Sequence, residues 1–380
     1  MTSRSAALHH LSNFLERVPH YASQRNFDRP GHAEVSCLSK WIRYRVITEE
    51  ECVAAVFARH PFEVAEKFVQ EVLWRTYWKG WLELRPQVWR SFRAGVERFN
   101  DEGFPEGYLQ AIEGRTGLSF FDEWVQELRL TGYLHNHTRM WFASVWIFTL
   151  RLPWQLGADF MYRHLLDGDP ASNTLSWRWV GGLQTPGKIY VARPDNIEKY
   201  SEGRWRPKES ELNLNPTPLR MDDIGAIVPL EPLSADLPRP GDSVLVHDDD
   251  LSVDLSQEFS STGLAFLMWT PICGEGSPLV LSHQEGLRRD AVERMGAAYV
   301  NDAEAIIQEM KRGPSRRLHV MLPPCGEVRS DFDRLAEVLS SHGVEVLLHR
   351  RRWDSLYFPF AKSGFFPFWS AVKRRLERES

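Results

Sequence analysis

Three short clusters in the first half of the chain carry side chains that could bind and act on a large ligand. Glu71, Trp74 and Arg75 lie at i, i+3 and i+4, so one helical face would present a carboxylate, an indole and a guanidinium together. A second stretch sets Asn136, Arg139 and Met140 immediately ahead of a strongly apolar run. A third joins Asp167-Gly168-Asp169 to Asn173, Trp177 and Trp179. Carboxylates beside guanidiniums can accept hydrogen bonds from a ligand's N–H and O–H groups, and indoles offer flat faces to ring systems. Each cluster also has a plainer reading: a surface Glu–Arg pair beside a core Trp, an Arg serving a structural carboxylate, and simple Asp-Gly-Asp turn chemistry.

Other chemistries find less support. His135 and His137 stand two apart, on different sides of a helix, and the Asp167 loop lacks both the spacing and the closing Glu of an EF-hand, so no metal is expected. Phosphates need donors, and Ser36-Cys37-Leu38-Ser39 ahead of a helix offers two hydroxyls and N-terminal amides. There is no G-x-G-x-x-G and no P-loop, which excludes a nucleotide held in the Rossmann or Walker manner.

Holding these clusters in place requires a large folded body. The 380 residues are 43% apolar and 26% charged, with 15 Trp and a formal charge of −5, which excludes disorder and a whole-chain basic field but allows a local basic groove. The start, Met1-Thr-Ser-Arg-Ser5, is not apolar, and the apolar stretches fall short of about 18 residues, so neither secretion nor a membrane span is expected. Cys37, Cys52, Cys273 and Cys325 form no C-x-x-C pair and read as reduced, buried thiols of a cytoplasmic protein.

The first 200 residues read as helix. Thr48 looks like an N-cap ahead of Glu49-Glu50-Glu51, the 3.6-residue apolar period continues over 63–84 and 120–130, and Gly132 separates a further helix over 136–150. The stretch 167–173 then reads as a loop. From 206 to 240 Pro, Asn and Asp dominate without a period, as in a linker wrapping the surface. Beyond it, strand-like runs at 244–246, 264–268, 318–322 and 344–348 alternate with helices at 284–295, 303–311 and 332–340, the pattern of a doubly wound sheet. The expected fold class is therefore α+α/β with two domains: an all-helical domain over 1–205, a linker over 206–240, and a doubly wound parallel α/β domain over 241–380 with a basic C-terminal segment.

Taken in order, the clusters become specific. Tyr21, Ser36-Cys37-Leu38-Ser39, Glu71 to Arg75, Gly114-Arg-Thr-Gly117, Thr131 to Met140, and Asp167 to Asn173 with Trp177-Arg-Trp179 resemble the flavin-binding helical domain of the cryptochrome/photolyase family over residues 6–205. The resemblance implies FAD, with Tyr21, Ser36, Leu38, Ser39 and Arg75 as phosphate and ribityl contacts. It pairs Arg139 with Asp167 beside the ring system, sets Asp169 at the ring edge and faces Asn173 to the reactive ring nitrogen. Val35 and Cys37 depart from the family's Thr and Arg in the phosphate motif. Glu71, Trp74, Asn136, Met140 and Trp179 match positions that contact a flipped cyclobutane pyrimidine dimer in UV-damaged DNA. Trp154 and Trp177 match two members of the family's electron-transfer chain. The third position falls near Phe99, so Trp141, Trp146, Trp124 or a tyrosine would complete another path.

The activity implied is blue-light repair of such dimers by a monomeric deoxyribodipyrimidine photolyase; a cryptochrome-like photoreceptor that signals through a partner is the alternative. Gly364-Phe-Phe-Pro-Phe-Trp369 resembles the segment by which the family's leading α/β antenna domain enters the helical domain. Its position near the C-terminus implies a circular permutation, with an unrelated appended α/β domain as the alternative. Asp248-Asp249-Asp250 stands where the family carries an Arg-rich segment, and the sequence leaves any second antenna chromophore unknown.

Overall fold

The computed structural model describes residues 2–259, 261–270 and 276–379. Cys273 lies outside the described residues. Helices begin and end where the sequence supplies caps. Thr48 and Glu51 close a reciprocal capping box at the start of Glu49–Phe57. Gly132, at φ +66°, ends Ser119–Thr131, and a Cβ there would come within 2.6 Å of Leu166.

The long helix Phe62–Glu83 is the spine of the helical half. It touches Val18–Gln24, Glu49–Phe57, Pro170–Val180 and, from the far end of the chain, Phe365–Glu379. Phe68, Val69, Leu73, Tyr77 and Leu82 on it are buried, each large apolar side chain worth about 1.5–3 kcal/mol.

Two expectations in this half need correction. The helix from Asn136 is α-helical only to Ser144 and then widens into a π turn over Val145–Thr149, which seats Trp146 against Phe160 and Trp177. The loop from Asp167 ends early, because Asp169 accepts from the Ser172 amide at 2.7 Å and starts the helix Pro170–Val180, so Asn173 is helical. Among the thiols only Cys52 is fully buried in the described set; Cys37 and Cys325 are half-buried, because each sits at the edge of a crevice rather than in a core.

The C-terminal half is a five-stranded, all-parallel sheet. β1 (Ser243–Val246), β2 (Ala265–Trp269), β3 (Ala298–Val300), β4 (Arg317–Met321) and β5 (Glu345–His349) lie in the order β3-β2-β1-β4-β5, a doubly wound arrangement whose direction of winding reverses between β1 and β4. β3 was not foreseen; three residues are too few to show a period. Two helices of this half begin earlier than expected: the one before β3 at Pro278, capped by Ser277, and the one between β4 and β5 at Glu327. Residues 206–240 hold no strand and one short turn, Glu209–Glu211, and are tied down by Val228 to Leu84 and Ser234 to Leu348 backbone bonds.

One sheet face shares a core with the helical half: Val244, Val246 and Met268 belong to the same apolar cluster as Leu73, Trp81 and Trp177. The other face forms its own cluster around Leu318, Val320 and Phe332. Among the described residues no helix is long and apolar enough to cross a membrane.

Candidate functional site

Five of the residues expected to hold the cofactor converge. Arg139 reaches Asp167 at 3.0 Å while its Nε donates to the Leu134 carbonyl at 2.8 Å, which fixes the guanidinium in place. Arg75 lies 3.3 Å from Asp169, and the hydroxyl of Ser39 bonds to Asp167. Burial opposes ionisation of Asp167, but Arg139, Arg75 and Ser39 outweigh it and hold the carboxyl below the usual carboxylate value. Asp169 is likewise held well below it, with Lys79, Arg75 and Arg43 overcoming burial. Yet Arg75 Nη1, Lys79 Nζ and Asp167 Oδ1 are buried in ion-pair contacts, at 3.3, 3.9 and 3.0 Å, without a well-aligned hydrogen bond. Three cations, Arg75, Arg139 and Lys79, face two carboxylates here, and hydrogen-bonding capacity is left over, the state of a site built for a polar ligand. Beside it opens a cavity of about 510 Å³ lined by Phe14, His32, Val35, Cys37, Lys40, Tyr133 and Asp167, within the size range of ligand pockets.

The remaining cofactor candidates are placed less directly. Tyr21 is buried edge-on against Phe14 and Phe68, and burial followed by the nearby Glu71 keeps its hydroxyl protonated. Leu38 is buried, and the Ser36 carbonyl lies 2.7 Å from the His10 ring. Asn173 donates to the Ala158 carbonyl at 2.8 Å, so its amide is directed at the neighbouring helix.

The residues expected to meet DNA lie closer to solvent, and their own chain already engages them. Glu71 pairs with Arg25 at 3.2 Å and Lys67 at 3.0 Å. Asn136 is exposed, with its amide 3.8 Å from the Met140 sulfur, and Trp179 stacks on Tyr190. Trp74 does not present two open faces: Phe365 of the C-terminal helix stacks on it at 3.8 Å and 9°. Of the electron-transfer candidates, Trp177 lies 6.2 Å from Trp146, ring to ring, and Trp146 lies 6.1 Å from Tyr108, which stacks on exposed Phe104. Trp154 stacks on Phe92 instead, and Phe99 carries the Arg98 guanidinium.

Sequence reasoning missed three participants. Lys79 sits one turn beyond Arg75 on the same helix, a spacing that could have revealed it. Arg43 reaches the Asp167 loop only through the fold. His32 lies between Asp28 at 3.4 Å and Glu127 at 3.3 Å, using opposite ring nitrogens. The three groups could hold a metal, but that arrangement fits an imidazolium clamped by two carboxylates better than ligands converging on one ion. Burial opposes its charge, and bonds to Asp28 and Glu127 nevertheless push His32 up to about 9.

Residues 68–203 match the family model of the FAD binding domain of DNA photolyase. A deoxyribodipyrimidine photo-lyase of Thermus thermophilus is 35% identical over 210 residues, covering 53% of this chain and 48% of that protein. The one from Vibrio cholerae is 29% identical over 184 residues, 46% of this chain and 38% of its own. A crystal structure of a bacterial class III photolyase from Agrobacterium tumefaciens aligns over 53% of this chain and 43% of that one, at 24% identity and a TM-score of 0.45. The chain thus spans about half or less of the length of the curated relatives it matches. Through its helical half, the chain is similar to the photolyases of this family.

Proposed function

We propose that the protein holds FAD in its helical half and repairs cyclobutane pyrimidine dimers in UV-damaged DNA under blue light. The observation that carries this reading is the cluster of Ser39, Arg75, Arg139, Asp167 and Asp169, whose buried ion pairs leave well-aligned hydrogen bonds unmade and whose Asp167 lines the cavity. The donor set fits a flavin: guanidiniums for anionic character, carboxylates for ring N–H groups, and Ser36 and Ser39 hydroxyls with Lys40 for phosphates. When bound and reduced, a flavin would supply the photoexcitable electron that dimer splitting needs and returns. Arg139, fixed by Asp167 and Leu134, would stabilise negative charge at the ring; Asp169 would accept at its edge; Tyr21 and Leu38 would supply apolar walls; and Asn173, whose amide donates to Ala158, would offer its carbonyl oxygen to the ring. On the outer side Glu71 and Asn136 bond base edges, while Trp74, Trp179 and Met140 form the walls of the lesion pocket. Trp177 and Trp146 lead outward to Tyr108, and a Trp146→Phe variant whose flavin photoreduces at the wild-type rate overturns that route.

We read the domain boundaries at 205 and 240, and the α/β half as the antenna domain displaced by circular permutation. The β3-β2-β1-β4-β5 order and the docking of Phe365–Glu379 on the helix carrying Trp74 support this reading. The same reading includes a monomer acting in the cytoplasm, for which sedimentation of the protein is the direct check on size. The main test is illumination of reduced, flavin-loaded protein with a dimer-containing oligonucleotide. Loss of dimers is expected; persistence of dimers overturns repair.

The stack of Phe365 on Trp74 favours the second reading, a flavin photoreceptor without repair. Salt separates the two, because a protein that neutralises phosphates loses affinity for damaged DNA steeply as salt rises.

A further inference from the structure

In doubly wound sheets, ligands bind beyond the carboxyl ends of the strands where the winding direction reverses. Here that place lies after β1 and β4, and it is filled from the helical half: Arg43, Lys79 and Pro170 meet Asp249, Pro324 and Cys325, leaving about 10 Å³. The three successive aspartates that follow β1 divide their work. Asp248 takes Arg288 of its own half at 2.6 Å. Asp250 takes Arg351 at 2.6 Å and also meets Arg45. Asp249 reaches across to Arg43.

Arg43 and Asp249 are buried, and the other arm of the guanidinium, Nε, donates to the Gly168 carbonyl at 2.6 Å. Gly168 lies between Asp167 and Asp169, so the planar fork of Arg43 connects the peptide joining the two carboxylates to the sheet. That peptide has no slack, since a Cβ on Gly168 would come within 2.4 Å of the Tyr162 carbonyl oxygen. A second brace comes from the loop after β4, where a Cβ on Gly326 would lie 2.6 Å from the Pro170 ring.

We propose that Asp249, acting through Arg43, is a positioning residue for the loop Asp167-Gly168-Asp169, so that the α/β half sets the geometry of the cofactor site instead of binding a ligand at its own crevice. The inference rests on the flavin reading of that loop.

The test compares Asp249→Asn and Arg43→Lys with Asp248→Asn, whose partner is local to the α/β half. Two quantities are read: amide hydrogen exchange over residues 163–172 without added flavin, and the rate of FAD release from reconstituted protein. Asp249→Asn and Arg43→Lys each accelerate both by roughly tenfold, the range of indirect coupling, and the double variant adds little more. Asp248→Asn leaves both near wild type. Equal behaviour of all three variants, or full additivity in the double variant, overturns the proposal. Should Asp249→Asn fail to fold, Arg43→Lys, which keeps the charge, decides alone. A wild-type protein that takes up no FAD defeats the flavin reading, while the exchange comparison still decides whether Asp249 positions the loop.

Discussion

Around Asp167 and Asp169, buried ion pairs leave hydrogen-bonding capacity that a ligand can use; around Trp74 and Glu71, exposed or half-buried groups already have partners in the same chain. The first region is preorganised and needs only to be filled. The second must be vacated before it can bind, so part of any DNA affinity is spent displacing Phe365 and Arg25. A loss of charge should therefore act most strongly at the first region, and a loss of apolar cover at the second.

The sharpest way to break this contrast is Asp167→Asn. It leaves Arg139 without its carboxylate while Arg75 keeps Asp169, a cost of about 3–5 kcal/mol at a buried site. Flavin retained after desalting should fall by more than about 100-fold relative to wild type, and full retention would mean that the cluster is only structural. Phe365→Leu addresses the other region. Its stack on Trp74 is worth about 0.5–1.5 kcal/mol beyond burial, so affinity for a dimer-containing oligonucleotide should rise roughly two- to tenfold with flavin content unchanged. Weaker binding in a titration would show that Phe365 serves the DNA side as it stands.

The smallest expected effect concerns pH and the cavity wall. His32 is raised in the folded state, so its stabilising contribution is complete below the unfolded value of about 6.5 and is lost as pH rises through about 9. Solvent reaches this ring, and the loss should be of order 1 kcal/mol once screening is allowed for. Thermal unfolding of wild type and His32→Gln between these pH values should converge at the alkaline end; parallel curves would remove His32 from the account.

Much of the helical half was legible because its signals are local. The Thr48 cap and the shared face of Glu71 and Arg75 follow from spacing and period alone, as do the four main strands of the other half. The Arg139–Asp167 pair came from family resemblance rather than from spacing, since 28 residues separate them. What stayed hidden joins distant parts of the chain. Arg43 and Asp249 are 206 residues apart, and Phe365 covers Trp74 from the last helix, so neither contact leaves a mark in any window of sequence. The π turn at Val145–Thr149 escaped because an apolar run looks the same in either helical geometry.

The apolar cluster that unites Val244, Val246 and Met268 with Leu73 and Trp81 has a consequence for how such a protein is inherited and engineered. A gene fragment ending at the linker would encode a helical half with an uncovered greasy wall, and would be expected to yield aggregates rather than a small flavoprotein. Whatever order the two halves take along the chain, each depends on the other to cover that wall.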